Sequence, residues 1–150
     1  MKALDQALAL NNAHAVELCL ETMESFRHLV DTACLARWTD GLEGFVLAFD
    51  ETAERESENF FWLQTRYERF VYVDRVVVHA AHRGRGHARA LYEAVFALAR
   101  STGRPRVVCE VNLEPPNPGS AAFHRALGFT RVGEATLRNG KRVEYLAAAV

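Results

Sequence analysis

The stretch from Phe70 to Leu98 constrains the fold more than any other part of the sequence. It opens with a β-branched and aromatic run, Phe70 to Val78, which predicts a strand buried on both faces. A short basic turn with two glycines follows, and from Ala88 apolar residues recur at helical spacing. A strand, a glycine turn and a helix in this order can present free backbone N–H groups to an anion.

The turn contains Gly84 and Gly86, which let the backbone come close to a ligand because they carry no Cβ. The first N–H groups of the following helix lack partners within the helix, and the helix dipole is positive there. Arg83 and Arg85 add positive charge at the same point. These features indicate a phosphate or pyrophosphate ligand. The alternative is a basic turn that only caps a helix.

Two common phosphate-binding motifs do not fit this turn. A P-loop needs a Gly-Lys-Ser/Thr sequence, which is missing here. The dinucleotide fingerprint needs a third glycine, and Arg89 occupies that position. The turn therefore indicates another kind of phosphate site.

Two segments together resemble a known family. Arg83 to Ala88 matches the Q/R-x-x-G-x-G/A core of the coenzyme A loop in the GNAT superfamily of N-acetyltransferases, and Val78-His79 precedes it at the usual distance. Asn117 to Phe129 is similar to the family's N-x-x-A/S-x-x-F/L-Y-x-x-x-G-F segment, with His124 where tyrosine is usual. The resemblance in specific residues covers roughly residues 70 to 130.

The resemblance implies an α/β (α+β) fold in one domain that spans residues 1–150. Its expected form is a mixed, twisted sheet of about seven strands with about four helices. The resemblance also implies that the two central parallel strands splay apart and that coenzyme A enters the gap. Independently, the strand from Arg106 to Val111 that follows the helix predicts a parallel pair joined by a crossover connection.

The remaining patterns place further elements along the chain. The apolar run Ala7–Leu10 suggests an edge strand, and Val16, Leu20 and Met23 begin a helical pattern that extends to about residue 33. The other predicted elements are strands at 34–38 and 42–49, an acidic loop at 50–59, a short helix at 59–67, a helix at 117–128, and a hairpin of strands 130–138 and 141–149 turned at Asn139-Gly140.

The resemblance assigns the cosubstrate acetyl-CoA to three parts of the chain. Backbone groups of the central strand would bind pantetheine and the acetyl oxygen, where a backbone N–H stabilises an oxyanion. The turn would cradle the pyrophosphate. Asn117 would bond the pantetheine arm, although a helix N-cap explains Asn117 equally well. The other residues are Val76, Val77 and Val78 in the strand, and Arg83, Gly84, Arg85, Gly86, His87 and Ala88 in the turn.

Glu110 is the expected general base. It ends a strand at the edge where α/β proteins bind ligands. Its run, Cys109-Glu110-Val111, is similar to the L-E-V strand of ribosomal-protein N-terminal acetyltransferases. Partial burial would raise the pKa of its carboxyl group and suit it to act through a water. The alternative is a strand-end carboxylate that faces solvent or pairs with an arginine.

His124 is the expected acid for the leaving thiolate, since an imidazolium can donate a proton near neutral pH. The alternative is a helix-surface histidine without a role. Asp74 is a reserve base, unless an ion pair with an arginine holds it. Cys109 fits core packing better than the role of an acyl nucleophile, because no histidine is near it in sequence.

Composition opposes several other classes of function. The 150 residues are 49% hydrophobic and 25% charged, with a net charge of −1, which disfavours binding to nucleic acid or to anionic membranes. Cys19, Cys34 and Cys109 form no C-x-x-C pair. Neither a disulfide framework nor a zinc site is therefore expected. The expected location is a reducing cytoplasm. No signal peptide, membrane span or metal is predicted.

The resemblance implies an N-acetyltransferase that transfers an acetyl group from acetyl-CoA to a primary amine by direct attack in a ternary complex. A small molecule or amino acid is the expected acceptor. The alternatives are N-terminal acetylation of proteins or peptides, and a non-catalytic acyl-CoA-binding module. Exposed strands at 42–49 or in the C-terminal hairpin could pair between two chains to form a homodimer.

Overall fold

A computed structural model describes residues 2–14, 20–114 and 116–150 of the chain. These residues form five α-helices, six β-strands and one short 3-10 helix at Ala80–His82. The helices are α1 (Lys2–Ala13), α2 (Met23–Thr32), α3 (Glu58–Arg66), α4 (His87–Ser101) and α5 (Pro118–Ala126). The strands are β1 (Leu35–Trp38), β2 (Gly44–Asp50), β3 (Val71–Val78), β4 (Arg106–Asn112), β5 (Thr130–Thr136) and β6 (Arg142–Ala149). Within the described residues, no helix is both long enough and apolar enough to cross a bilayer.

The six strands form one mixed sheet in the order β1-β2-β3-β4-β6-β5. Only the central pair, β3 and β4, runs parallel, and α4 makes the crossover between them. All other neighbouring strands are antiparallel. The predicted mixed α/β sheet is therefore confirmed, with one strand fewer and one helix more than the sequence patterns suggested.

The difference in these counts comes from the N-terminal segment. The prediction of an edge strand at Ala7–Leu10 is wrong, since this run belongs to α1. Leu4, Ala7 and Leu10 are buried at a spacing of three residues, which fits one face of a helix and not a strand. Alanine and leucine are also strong helix formers. Of the next helical pattern, only the part from Met23 onward is observed as α2, and Val16 lies outside the described residues.

The helices cover both faces of the sheet and create two hydrophobic cores. On one face, α1, α2 and α3 pack through Leu4, Phe26, Phe60 and Leu63 against Tyr72, Val108 and Tyr145 of the strands. On the other face, α4 and the end of α5 pack through Leu91, Val95, Phe123 and Phe129 against Val71, Val107 and Cys109. Different helices therefore cover the two faces of β3 and β4, so a ligand between these strands would have different residues on its two sides.

A β-bulge in β3 explains why the central strands separate. Leu47 and Ala48 are consecutive on β2, yet they pair with Arg75 and Val73, so Asp74 is an extra residue on β3. A bulge of this kind bends its strand. The parallel ladder between β3 and β4 contains only the pairs Val71–Val107 and Tyr72–Val108, just before the bulge. The splayed parallel strands implied by the family resemblance are thus present.

Candidate active site

The gap between β3 and β4 opens toward the carboxyl ends of the two strands. One edge of β3 pairs with β2 as far as Val78 opposite Gly44, whereas the other edge pairs with β4 only at Val71 and Tyr72. Among the described residues, the stretch Val76–Val78 therefore has no strand partner on the gap side. Backbone N–H and C=O groups in such a stretch need hydrogen bonds from another source, and an extended ligand could supply them.

The glycine turn lies directly beyond this gap, between the 3-10 helix and α4. Gly84 and Gly86 have φ of 77° and 85°, in the left-handed region that favours glycine. The space where a Cβ would lie is open at both positions. Gly86 is the N-cap of α4 and provides no side-chain hydrogen bond, and the first turn, which begins with His87 and Ala88, carries no acidic residue. This helix N-terminus is accessible and positive, so it fits a pyrophosphate.

The two arginines of the turn have different partners. Arg83 is tied to the body of the protein, since its Nη2 donates to His14 Nε2 over 3.0 Å and its Nε donates to the Val78 carbonyl over 3.3 Å. Arg85 is exposed and its Nη1 lies 3.4 Å from His82 Nδ1. Arg83 thus links α1 to the end of β3, and Arg85 remains available at the surface of the turn.

Glu110 lies on β4, beyond the last rung of the parallel ladder. The hydroxyl group of Tyr72, on β3, donates a hydrogen bond to Oε1 of Glu110. Burial raises the pKa of Glu110 to about 7, and the charge of Asp74 adds to this rise, while the hydrogen bond from Tyr72 acts in the opposite direction. Near neutral pH the Glu110 carboxyl group is therefore divided between its neutral and ionised forms.

Helix α3 and strand β6 form a wall beside Glu110, and we call Asn59, Trp62 and Tyr145 the α3 wall. Tyr145 lies directly opposite Glu110 across the β4–β6 ladder, so both side chains project from the same face. The Tyr145 hydroxyl donates to Asn59 Oδ1 over 2.9 Å. The Tyr145 ring stacks on Trp62 with centroids 3.9 Å apart and an interplanar angle of 12°. These contacts hold the N-terminal part of α3 over the strand that carries Glu110.

Asp74, the reserve base considered from the sequence, is held by two arginines. Its carboxylate oxygens each accept a bond of 2.6 Å, one from Arg55 Nη2 and one from Arg75 Nε. The Asp74 side chain is only 6% exposed. The structural ion pair that was the alternative for Asp74 is therefore what the structure contains. Both oxygens of this carboxylate are occupied by arginines and the side chain is buried, which leaves Glu110 as the base candidate at this gap.

The sequence pattern of the acetyltransferase (GNAT) family matches residues 17–129 of the chain, which is more than half of its length. The chain belongs to the GNAT acetyltransferase family. It is an acetyl-CoA-dependent N-acetyltransferase by this membership. No curated protein sequence matches the chain significantly.

Several solved GNAT structures share the fold. Ribosomal-protein-alanine N-acetyltransferase from Brucella melitensis is 19% identical with a TM-score of 0.71, covering 99% of this chain and 95% of that one. Chaetomium thermophilum Naa20, solved with a bisubstrate analogue, is 14% identical with a TM-score of 0.72, covering 96% and 80%. The NatC complex bound to Gag peptide and CoA is 14% identical with a TM-score of 0.71, covering 99% and 91%. At these identities the likeness establishes the fold alone.

His124 replaces the tyrosine that is usual in the GNAT motif, and the structure places it in a buried position on α5. Its Nδ1 lies 2.8 Å from the Ser120 carbonyl, so this nitrogen donates, and its Nε2 lies 2.7 Å from the Tyr92 hydroxyl, which donates to it. Burial lowers the pKa of His124. A neutral imidazole with both nitrogens bonded favours a structural role over the acid role, and neither description matches the surface histidine that was the alternative.

For both Asn117 and Cys109, the sequence allowed a functional and a structural interpretation. Asn117 is the N-cap of α5, where its Oδ1 accepts from the Ser120 N–H over 3.1 Å. The amide nitrogen of Asn117 takes no part in this cap. Cys109 is buried, and burial raises the pKa of its thiol well above the ordinary value, so it suits core packing rather than nucleophilic attack.

Three polar residues near Glu110 were missed by the sequence analysis, namely Tyr72, Asn59 and Tyr145. A signal for Tyr72 does exist, because a tyrosine inside a strand buried on both faces needs a partner for its hydroxyl group. The sequence alone does not identify that partner. Asn59 and Tyr145 are separated by 86 residues, and no local pattern connects them.

Proposed function

We propose that this GNAT enzyme transfers the acetyl group of acetyl-CoA to a primary amine of a small molecule or amino acid, by direct attack in a ternary complex. The observation that carries the proposal is Glu110, a carboxyl group at the open gap between β3 and β4 whose pKa is raised to about 7. A base with this pKa can take a proton from an ammonium group near neutral pH.

The coenzyme would be held by the gap and the turn. Acetyl-CoA supplies the acetyl group as a thioester. The unpaired backbone edge at Val76–Val78 would hydrogen-bond the pantetheine arm and polarise the acetyl carbonyl. The N–H groups around Gly84 and Gly86 and the first turn of α4 would bind the pyrophosphate. The amide nitrogen of Asn117, which its capping bond leaves available, would contact the pantetheine arm.

Glu110 would act as the general base on the face covered by α1, α2 and α3. The amine would approach from this face, because Glu110 lies directly opposite Tyr145 on β6 and projects with it from this side of the sheet. Proton transfer to the Glu110 carboxylate, directly or through one water, would leave the amine neutral and nucleophilic. Tyr72 would hold the carboxyl group in place for this transfer.

The leaving thiolate needs a proton. The resemblance implies His124, and this role stays a prediction. To act as an acid, His124 would have to exchange the Tyr92 hydroxyl for the thiolate at Nε2 and bind a proton despite its lowered pKa.

The small size of the proposed acceptor is supported by α3. This helix packs over Tyr72 and Tyr145 through Phe60 and Trp62, and Glu58 accepts the backbone N–H of Arg138 with both oxygens, over 3.2 and 3.3 Å. Helix α3 is therefore held against the β5–β6 hairpin across the face that carries Glu110. This contact leaves less room for a long peptide acceptor to reach Glu110. N-terminal acetylation of peptides is the second candidate, favoured by the fold that the chain shares with peptide-binding NatC.

The experiment that tests the proposal combines coenzyme binding with turnover. Calorimetric titration with acetyl-CoA should show binding to the wild type and loss of binding in Gly86→Glu, which places a carboxylate in the anion site. A thiol-release screen over small amines, amino acids and short peptides should then detect acetyl transfer. Folded wild-type protein that does not bind acetyl-CoA would contradict the proposal, and binding without turnover would indicate the non-catalytic module.

The same screen tests the base. Glu110→Gln keeps the size of the side chain and removes its ability to accept a proton. We expect kcat at pH 7 to fall by roughly 10²–10⁴-fold, with little change in the affinity for acetyl-CoA. An unchanged pH–rate profile in Glu110→Gln would remove Glu110 from the mechanism.

A further inference from the structure

The α3 wall offers hydrogen-bond donors that the proposed reaction does not use. Asn59 is the second residue of α3, and its Oδ1 accepts from the Tyr145 hydroxyl over 2.9 Å. Burial, together with the charges of Glu110 and Glu58, raises the pKa of Tyr145 to about 12. The hydroxyl group therefore keeps its proton at neutral pH and remains a donor. With Oδ1 fixed toward Tyr145, the amide nitrogen of Asn59 faces the other way.

The amide nitrogen of Asn59 is available to a ligand. The side chain is partly exposed, and among the described residues its Nδ2 has no hydrogen-bond partner. An amide nitrogen carries two N–H donors, and an oriented amide binds an acceptor oxygen with little further loss of conformational freedom. Tyr145 thus positions Asn59, and Asn59 presents donors beside the base.

Asn59 and Glu110 share Tyr145 as a neighbour. Tyr145 connects them, since it lies directly opposite Glu110 on the neighbouring strand and bonds Asn59 through its hydroxyl group. Side chains at directly opposite positions of an antiparallel pair have Cβ atoms about 5 Å apart. An amine bound at Glu110 would therefore place atoms of its neighbouring group near Asn59.

The charges around Asn59 select the kind of oxygen that can bind there. Glu58 precedes it in α3, and the charges of Glu58 and Glu110 both act on Tyr145, the partner of Asn59. A carboxylate would be repelled by these acids, whereas an uncharged carbonyl oxygen would accept the amide N–H without this cost. In an α-amino amide the amine nitrogen and the carbonyl oxygen are about 3 Å apart, which suits one group at Glu110 and the other at Asn59.

We infer that Asn59 is a specificity-determining residue that binds an uncharged carbonyl oxygen next to the acceptor's amine, so that the preferred acceptor is an α-amino amide. This inference rests on the proposed function. Under this inference the enzyme prefers an amino amide to two other kinds of amine. The carboxylate of a free amino acid is repelled, and a plain alkylamine has no oxygen to bind Asn59.

The test measures kcat/KM by thiol release for alaninamide, alanine, isopropylamine and an alanine-initiated tripeptide. In the wild type we expect alaninamide to exceed both alanine and isopropylamine by about tenfold, the effect of one hydrogen bond. Activity on alaninamide but not on the tripeptide identifies a small amide as the acceptor. Equal activity on both identifies the peptide N-terminus as a source of the same group.

Asn59→Asp is the informative variant, because it keeps an oxygen to accept from Tyr145 and removes the two N–H donors. Its kcat/KM for alaninamide should fall about tenfold more than its kcat/KM for isopropylamine, because the added charge near Glu110 acts on both acceptors, whereas the lost N–H donors affect only the amide. Asn139→Asp is the matched control, since it adds the same charge in the β5–β6 turn and keeps the acceptor for the Lys141 N–H, 2.9 Å away. It should leave both values unchanged.

Tyr145→Phe is the second variant, used if Asn59→Asp does not fold. It keeps an aromatic ring for Trp62 and releases the amide of Asn59, so the preference for alaninamide over isopropylamine should shrink while turnover of isopropylamine persists. Loss of activity by the same factor on all acceptors, or a wild-type preference for alanine, would overturn the inference. Turnover of alkylamines without a preference for amides would overturn this inference and leave the proposed function intact. Absence of turnover on every acceptor would overturn both.

Discussion

Two opposing effects set the properties of the Glu110 carboxyl group. Burial and the charge of Asp74 favour its neutral form, while the hydrogen bond from Tyr72 favours the ionised form. The result is a pKa of about 7, which suits a base that must work near neutral pH. Tyr72 therefore both orients Glu110 and keeps its pKa from rising further.

Tyr72→Phe should move the acid limb of the pH–rate profile to higher pH. The base works when it is ionised, so the rate falls as pH drops through the pKa of Glu110. Removing the hydrogen bond that stabilises the carboxylate raises this pKa, so the rate should begin to fall at a higher pH than in the wild type. The measurement is kcat/KM between pH 5 and 9. A lower rate with an unshifted limb would mean that Tyr72 has only a structural role.

His124→Phe should affect stability more than catalysis. Tyr92 is buried, and without the Nε2 of His124 its hydroxyl group loses its acceptor, which costs about 1–3 kcal/mol. The free energy of unfolding should fall by that amount in urea titrations, while kcat changes less than about tenfold. A general acid would instead account for roughly 10²–10⁴-fold in kcat, so a fall in kcat of that size would restore the acid role to His124.

A double variant separates the two explanations for His124. Adding Tyr92→Phe to His124→Phe removes both partners of the hydrogen bond, and pairs removed together cost less than one partner removed alone. We expect the double variant to regain part of the stability that His124→Phe loses. Additive losses would show that the bond between Tyr92 and His124 contributes little.

At the scale of elements, the site depends on the docking of α3 against the last hairpin. Trp62 stacks on Tyr145 of β6 and lies against Gly133 of β5. The ladder between β5 and β6 shifts its register between Arg131 and Gly133, and this bulge places Gly133 beneath the indole ring. The hairpin therefore provides both the stacking partner and the gap that Trp62 fills.

Gly133→Ala should displace Trp62 and loosen α3. An added Cβ would lie 2.4 and 2.6 Å from two ring atoms of Trp62, and overpacking of this kind costs about 1–3 kcal/mol. The midpoint of thermal unfolding should fall, and the near-ultraviolet dichroism of the indole ring should change. Gly119→Ala is the control, because the nearest atom to its added Cβ is 3.7 Å away. Equal stability of the two variants would contradict the role of Gly133.

At the scale of the whole molecule, one buried ion-pair network joins four distant segments. Arg75 Nη1 donates to Asn11 Oδ1 of α1 over 2.9 Å and lies 3.5 Å from Glu21 Oε2 before α2. Arg75 Nε and Arg55 Nη2 both bond Asp74. The network holds the N-terminal helices and the loop before α3 against the bulge of β3, on the face where the amine would bind.

Arg75→Met should destabilise the fold through this network. The change keeps much of the side-chain volume but leaves Glu21 without its ion-pair partner and Asp74 with Arg55 alone. Breaking a buried pair from one side costs about 3–5 kcal/mol, which urea titration would detect as a lower free energy of unfolding. Arg100→Met, on the exposed end of α4, is the control and should change stability by about 0.5 kcal/mol or less. Equal effects of the two variants would show that the network is not stabilising.

Local patterns were sufficient for much of the architecture. Strands β2, β3 and β4, helices α3, α4 and α5 and the final hairpin lie where hydrophobic period, glycines and caps predicted them. The run Ala7–Leu10 was misread, because four residues of alternating alanine and leucine fit a strand as well as a helix, and only burial at a spacing of three decides. The glycine turn could be predicted as an anion site because its chemistry lies in consecutive residues.

The environment of each reactive group was decided by tertiary structure. Tyr72 meets Glu110 across 38 residues of sequence, Tyr92 meets His124 across 32, and Arg75 meets Asn11 across 64. Sequence determined which groups could accept or donate protons, since that depends on residue type. Register, burial and the bulge in β3 determined their partners and hence their pKa, because desolvation and hydrogen bonding act only between groups that the fold has brought together.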